Sequence, residues 1–278
     1  MNGVKKPDIR KALCEEFRKI PKGKSVALLL SAGMDSHATL LALQDVGITP
    51  HCYSFMVDRG KLSTDFKYAN FKAKKLGVKF TPVFLPHTQT DIVSRLVELV
   101  QHGAKTKTEF ECSLPVMETI KVIQEPYIVT GHGAGGHFAI TKKAMIHFEG
   151  KIEQWRSLVY KKFNAGTYVQ KAILESICKI HNKTFLWPWF SSCMQNEFSG
   201  TTWDQINRPK KKQAIIDNFP EMRKFKIFPA SNLQLGDSGI ATIIGKAVLS
   251  SKYNTRNFKS PVGAYNEIVR QHGKSRKI

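Results

Sequence analysis

The sequence predicts an α/β fold: a parallel sheet with helices on both faces, followed by a mostly helical half. Three observations carry this. Short apolar runs at about 25–30, 50–57, 79–85 and 126–130 alternate with helical periodicity through the first part of the 278-residue chain. Two of these runs break abruptly into turns of small residues, Ser31-Ala32-Gly33-Met34-Asp35-Ser36 and Thr130-Gly131-His132-Gly133-Ala134-Gly135-Gly136. After about residue 150 the strand signal fades and helical patterns take over.

The elements follow in order. Residues 7–20 carry Ile9, Leu13, Phe17 and Ile20 on one stripe, the spacing of an amphipathic helix. Val26 to Leu30 is a short buried strand, and the helix of about 34–46 behind it stops at Gly47. His51 to Val57 forms a second strand. A helix from about Asp65 puts Phe66, Ala69, Ala73 and Leu76 on one face and ends at Gly77. Then come strand 79–85, a helix over about 90–102 (Ile92, Leu96, Leu99, Val100), a helix over about 114–124 and strand 126–130. Residues 152–162 and 167–181 are expected to be helical, the latter carrying Val169, Ile173, Ser176 and Ile177. Further helices are expected at about 203–218 and 239–250, with Trp187-Pro188-Trp189-Phe190 marking a break before them. The expected division is an α/β domain over 1–150 and a helical, basic region over 151–278, with a soft boundary near 148–165.

Composition narrows the class. The hydrophobic content of 42% is ordinary for a globular protein. No apolar run approaches the roughly 18–20 residues that span a bilayer. The basic N-terminus (Lys5, Lys6, Arg10, Lys11) is not followed by an apolar signal core. Five scattered cysteines without a Cys-X-X-Cys pair suit reduced thiols, so the expected location is cytoplasmic. The net charge of +21 stands out. It points to a polyanionic partner, DNA or RNA, or else to a generally basic surface.

The first turn has the chemistry of a phosphate cradle. A strand, a tight small-residue turn and a helix start aim main-chain N–H groups at one spot, where the helix dipole favours negative charge. An ordinary strand–turn–helix is the alternative. It is not a Walker A loop, because no Gly-Lys-Ser/Thr follows.

These residues resemble the Ser-Gly-Gly-X-Asp-Ser signature of the PP-loop ATP pyrophosphatases, a family that includes asparagine synthetases and several tRNA-modifying enzymes. The resemblance implies a Rossmann-like (adenine nucleotide alpha hydrolase-like) fold, with ATP and Mg²⁺ as cofactors. It implies that Ser31, Ala32, Gly33, Met34, Asp35 and Ser36 hold the pyrophosphate end, with Asp35 also a magnesium ligand. Ala32 stands where the family has glycine, which requires that residue to keep a negative φ. Main-chain groups of Ser54 and Phe55, on the second strand, fall where the family grips adenine; a half-buried strand is the other reading.

The second turn resembles the Ser-Gly-Glu-Gly-Ala-Asp-Glu-Leu-Phe turn of asparagine synthetases. It keeps Gly131, Gly133, Ala134 and Phe138, but His132 replaces the glutamate, and Gly135 and Gly136 replace the two acids. His132 is a candidate base, or a structural histidine. Leu114-Pro115-Val116 is similar to a helix start of the family, and Trp187-Pro188-Trp189-Phe190 to a later stretch. Lys210-Lys211-Lys212 with the following 213–220 resembles a basic helix, either solvated or tracking phosphates. Gln234-Leu235-Gly236-Asp237-Ser238-Gly239 resembles a closing motif whose preceding lysine is replaced by Ala230-Ser231-Asn232.

The resemblance implies an AMP-forming ligase that adenylates a carboxylate or carbonyl oxygen for attack by a nitrogen nucleophile; a nucleic-acid-linked substrate is one candidate. No glutaminase domain is expected, so nitrogen would come from a separate ammonia or amine donor. Two alternatives stay open. One is modification of a tRNA or DNA base, with Cys112 and Cys193 as candidates for passing sulfur. The other is a catalytically decayed protein that binds nucleic acid.

Overall fold

The computed structural model describes residues 6–57, 62–168, 170–226, 228 and 238–273. The expectations for 230–237 and for Val169 lie outside these residues. In chain order the elements are α1 (Ile9–Phe17), β1 (Val26–Leu29), α2 (Met34–Asp45), β2 (His51–Val57), α3 (Thr64–Lys75), β3 (Phe80–Leu85), α4 (Gln89–Gln101), α5 (Lys107–Val122), β4 (Tyr127–Thr130), α6 (Ala134–Phe138), α7 (Lys142–His147), α8 (Ile152–Asn164), α9 (Lys171–Ile180), β5 (Thr184–Leu186), α10 (Ser192–Phe198), α11 (Trp203–Asn207), α12 (Gln213–Asn218), α13 (Ile240–Leu249) and α14 (Pro261–His272). Short 3-10 turns occupy Pro188–Phe190 and Pro220–Lys224.

The strands form one parallel, Rossmann-like sheet in the order β3-β2-β1-β4-β5. Side chains alternate between its faces, as the period of two requires. Val26, Leu28, Cys52 and Val129 pack into one core with α1, α2, α10 and α12, while Ala27, Tyr53 and Ile128 pack into another with α4, α5, α9, α13 and α14. Helix α2 is buried nearly all round, from Ser36 through Leu43, so it shows no polar stripe. Chain order reverses between β1 and β4. Their carboxyl ends therefore frame the crevice where open α/β sheets bind ligands.

Several elements differ from expectation. Helix α5 begins at Lys107, seven residues before the expected start, because Thr106 and Glu109 form a capping box; Pro115 lies inside it. β5 is a strand of three residues, too short to show alternation, and it pairs with β4 through Ile128↔Phe185. Residues on both sides of 150 thus build one sheet. The expected helix over 203–218 is two short ones, α11 and α12, separated by Pro209 and by Lys212 in the left-handed region (φ 63). Helix α14 packs on α4 and α13 in a stretch where no element was expected.

Candidate functional site

The turn between β1 and α2 is held from beneath. Ser31 N–H donates to Ser36 Oγ at 3.1 Å, Gly33 N–H to Ser31 Oγ at 3.2 Å, and the two hydroxyl oxygens lie 2.9 Å apart. Ala32 N–H donates to Asp65 Oδ1 at 2.9 Å. Lys72 Nζ donates to the carbonyls of Ala32 and Gly33 at 2.6 and 3.3 Å. Lys72 is only 2% exposed. Burial draws its pKa down to about 8, with Asp65 and Asp35 opposing the shift. Ala32 is buried and outside the positive-φ region, so its methyl group causes no backbone strain.

Three N–H groups expected to face an anion, those of Ser31, Ala32 and Gly33, are therefore engaged with protein acceptors. What remains is the start of α2. Its N-cap, Gly33, is extended (φ −64, ψ 157) and supplies no side-chain cap. The positive end of a 12-residue helix, bearing Met34, Asp35 and Ser36, is left without a side-chain acceptor at this point.

The second turn touches the first through main chain. A Cβ on Gly131 would stand 2.4 Å from Ser36 N and 2.7 Å from the Asp35 carbonyl carbon, so only glycine allows this approach. Gly133 adopts φ 99, and a Cβ there would meet the Phe190 ring at 2.4 Å. His132 N–H donates to Thr130 Oγ1 at 2.8 Å, and its ring packs edge-on to Tyr168 and Trp187, each at 5.7 Å between centroids. Burial lowers its pKa to about 4, with Asp35 pulling the other way. At neutral pH His132 is uncharged, and its burial makes it a weaker base than an ordinary imidazole.

His137, which sequence reasoning passed over, is structural. Its Nε2–H donates to the Trp189 carbonyl, so Nδ1 accepts from Tyr160 OH at 2.6 Å. Arg156, wholly buried, donates to the carbonyls of His137, Phe198 and Thr201 at 3.0, 2.7 and 2.9 Å. It ties the end of α6 to α8 and α10. Trp189 Nε1 donates to Thr39 Oγ1 (3.0 Å), which donates to the Asp35 carbonyl (2.8 Å). The Trp-Pro-Trp segment thereby fastens to α2.

Asp35 has a partner that the sequence did not disclose. Lys212 Nζ donates to both of its carboxylate oxygens at 2.6 Å. Lys212 is 4% exposed, whereas Lys210 and Lys211 are exposed. A magnesium ion needs a near-octahedral shell of oxygens, usually one or two carboxylates with phosphates and water. Here Asp35 already neutralises an ammonium, the Asp65 carboxylate accepts from Ala32 N–H, and Gly135 and Gly136 offer no further acid. Among the described residues no group of three or more His, Cys, Asp or Glu side chains is placed to hold a metal. The residues present do not fit a protein-held magnesium ion, the role expected of Asp35.

The remaining candidates divide. Ser54 and Phe55 follow directly on Tyr53, the last residue of β2 that β1 pairs, which puts them at the carboxyl edge beside the first turn. Cys112 lies in α5 and Cys193 in α10, helices packed on opposite faces of the sheet. Burial pushes the Cys112 thiol up to about 12. Burial, with a 2.7 Å hydrogen bond to Glu15, pushes Cys193 up to about 11. The fold neither brings the pair together nor favours their thiolates. Leu114 and Pro115 sit inside α5, Trp189 and Phe219 are core, and Trp187 and Trp203 are half-buried.

No protein-family model and no curated protein matches the chain. Among solved structures it is similar to a predicted subunit of tRNA methyltransferase from Methanocaldococcus jannaschii, at 15% identity and a TM-score of 0.34, over 73% of this chain and 90% of that one. No helix among the described residues is long and apolar enough to cross a membrane.

Proposed function

We propose that the chain binds ATP at the meeting of its two glycine-rich turns and transfers AMP to an acceptor oxygen with release of pyrophosphate. The observation that supports this is the juxtaposition at the strand-order reversal. An uncapped helix start lies there against the main chain of Gly131, with the hydroxyls of Ser31 and Ser36 alongside. The triphosphate meets the Met34–Ser36 end of α2, and charge developing on pyrophosphate is stabilised there by fixed dipoles. Adenine lies toward the main chain of Ser54 and Phe55. The attacking nitrogen nucleophile, free ammonia or an amine, displaces AMP, and His132, uncharged at the edge of this crevice, is the candidate to accept a hydrogen bond from it.

The acceptor in this reading is a carboxylate or carbonyl oxygen carried on a nucleic acid. A net charge of +21 exceeds what one nucleotide requires, and the exposed Lys210 and Lys211 sit two residues or fewer from Lys212 at the site. Amidation is preferred over thiolation because Cys112 and Cys193 lie in different layers. Five thiols without a disulfide agree with a cytoplasmic location. A second reading, a nucleic-acid-binding protein without catalysis, is favoured by the glycines at 135 and 136. Exchange of labelled pyrophosphate into ATP, assayed with RNA and DNA fractions as acceptors, separates the two. Acceptor-dependent exchange supports the ligase; salt-sensitive nucleic-acid binding without exchange or nucleotide binding supports the alternative.

A further inference from the structure

The Asp35–Lys212 pair has a consequence beyond ATP binding, and it rests on that reading. Lys212 is placed with care. Its N–H donates to Asn207 Oδ1 at 3.0 Å, and Asn207, 1% exposed, donates through Nδ2 to the carbonyls of Phe138 (3.0 Å) and Trp203 (3.2 Å). Its ammonium stands 5.8 Å from the centre of the Phe138 ring. The anchoring segment is thus the end of the second glycine-rich turn, and the ammonium reaches from it to the start of α2. Its backbone is left-handed at φ 63, a conformation a lysine adopts at some cost. Glycine or asparagine would sit there with less strain.

Three facts converge on one place. The carboxylate that would share a divalent ion with the phosphates is paired through both of its oxygens with Lys212. Gly135 and Gly136 supply no carboxylate beside it, and a Cβ at Gly135 would meet nothing within 4 Å. A fixed ammonium stands at the end of α2 where phosphate charge would gather. We propose that Lys212 takes the place of the divalent cation, so that this site binds a nucleoside triphosphate without magnesium. Asp35 orients the ammonium and does not ligate a metal. Magnesium entering beside Asp35 would have to displace a buried cation from both carboxylate oxygens.

The test is equilibrium binding of a fluorescent ATP analogue to the full-length protein, in excess EDTA and in excess magnesium. The expected result is the same affinity in both buffers. Lys212→Gln lowers affinity in EDTA about tenfold or more, the loss of one charge-assisted hydrogen bond to phosphate. Adding Gly135→Asp to that variant supplies a second carboxylate in the second turn, and binding then returns only with magnesium. Wild-type binding seen only with magnesium overturns the proposal and leaves the ATP-binding reading standing. Absence of binding in both buffers overturns the two together. Both of these outcomes are read on the wild-type chain and do not depend on how the variants fold.

Discussion

Replacing Gly131 by alanine probes the contact on which the site is built. The added Cβ would lie 2.4 Å from Ser36 N, 2.7 Å from the Asp35 carbonyl carbon and 2.9 Å from Asp35 Cβ. Comfortable contact requires about 1 Å more, since non-bonded heavy atoms are best separated by about 3.5–4 Å. The nearest atoms are backbone at the start of a buried helix, so no side-chain rotation relieves the clash. The two turns must part. Overpacking of this kind costs about 1–3 kcal/mol. For a domain of this size that lowers the melting temperature by roughly 2–4 °C per kcal/mol. Gly135→Ala is the matched control, because its Cβ would meet nothing within 4 Å and it lies in helix α6, where alanine is favoured. Thermal unfolding and titration with the fluorescent nucleotide, run on both variants, read stability and site separately. Gly131→Ala is expected to melt lower and to bind weakly, with Gly135→Ala near wild type on both. Equal melting and equal affinity for the two variants would refute the close approach of the turns.

Three further outcomes follow from the same geometry. Lys72 is protonated in the fold only below about pH 8, against 10.5 as its ordinary value. Between those values the unfolded chain binds the extra proton, so this group makes the fold more stable as pH rises across that window. The same rise removes the ammonium that holds Ala32 and Gly33, so nucleotide affinity falls through about pH 8 while the melting temperature does not; an affinity flat across pH 8 contradicts this. Arg156→Met leaves the carbonyls of His137, Phe198 and Thr201 without their buried donor and costs about 3 kcal/mol or more, measured by denaturant unfolding. Lys210→Ala with Lys211→Ala weakens RNA or DNA binding and reduces the slope of log affinity against log salt by up to about two, with nucleotide affinity unchanged; an unaltered slope places the nucleic acid elsewhere.

Much of the fold was legible because its first half is strongly punctuated. Gly47 and Gly77 stop α2 and α3 with positive φ (79 and 66), and the Ser31–Ser36 turn follows a strand too apolar to be anything else. Helix α5 was misplaced because Pro115 reads as a start, whereas the capping box at Thr106 and Glu109 governs. β5 gains its conformation from pairing with β4, a tertiary cause that three residues cannot announce. The candidate site was legible where it is local and hidden where it is not. Ser31, Ser36 and Gly131 declare themselves by spacing. Lys212 meets Asp35 across 177 residues, and Lys72 and Asp65 reach the turn from α3; their charges look solvated in a sequence with 43 lysines and arginines. A buried cation in a basic protein leaves no mark in composition.

The claim beneath all of this is that one anion site forms where the ends of β1 and β4 meet. A crystal structure of the full-length protein grown with ATP tests it most directly. Phosphate oxygens are expected within hydrogen-bonding distance of the Met34–Ser36 main chain and of Lys212 Nζ. Nucleotide density lying away from α2 and out of reach of Lys212 Nζ would contradict it.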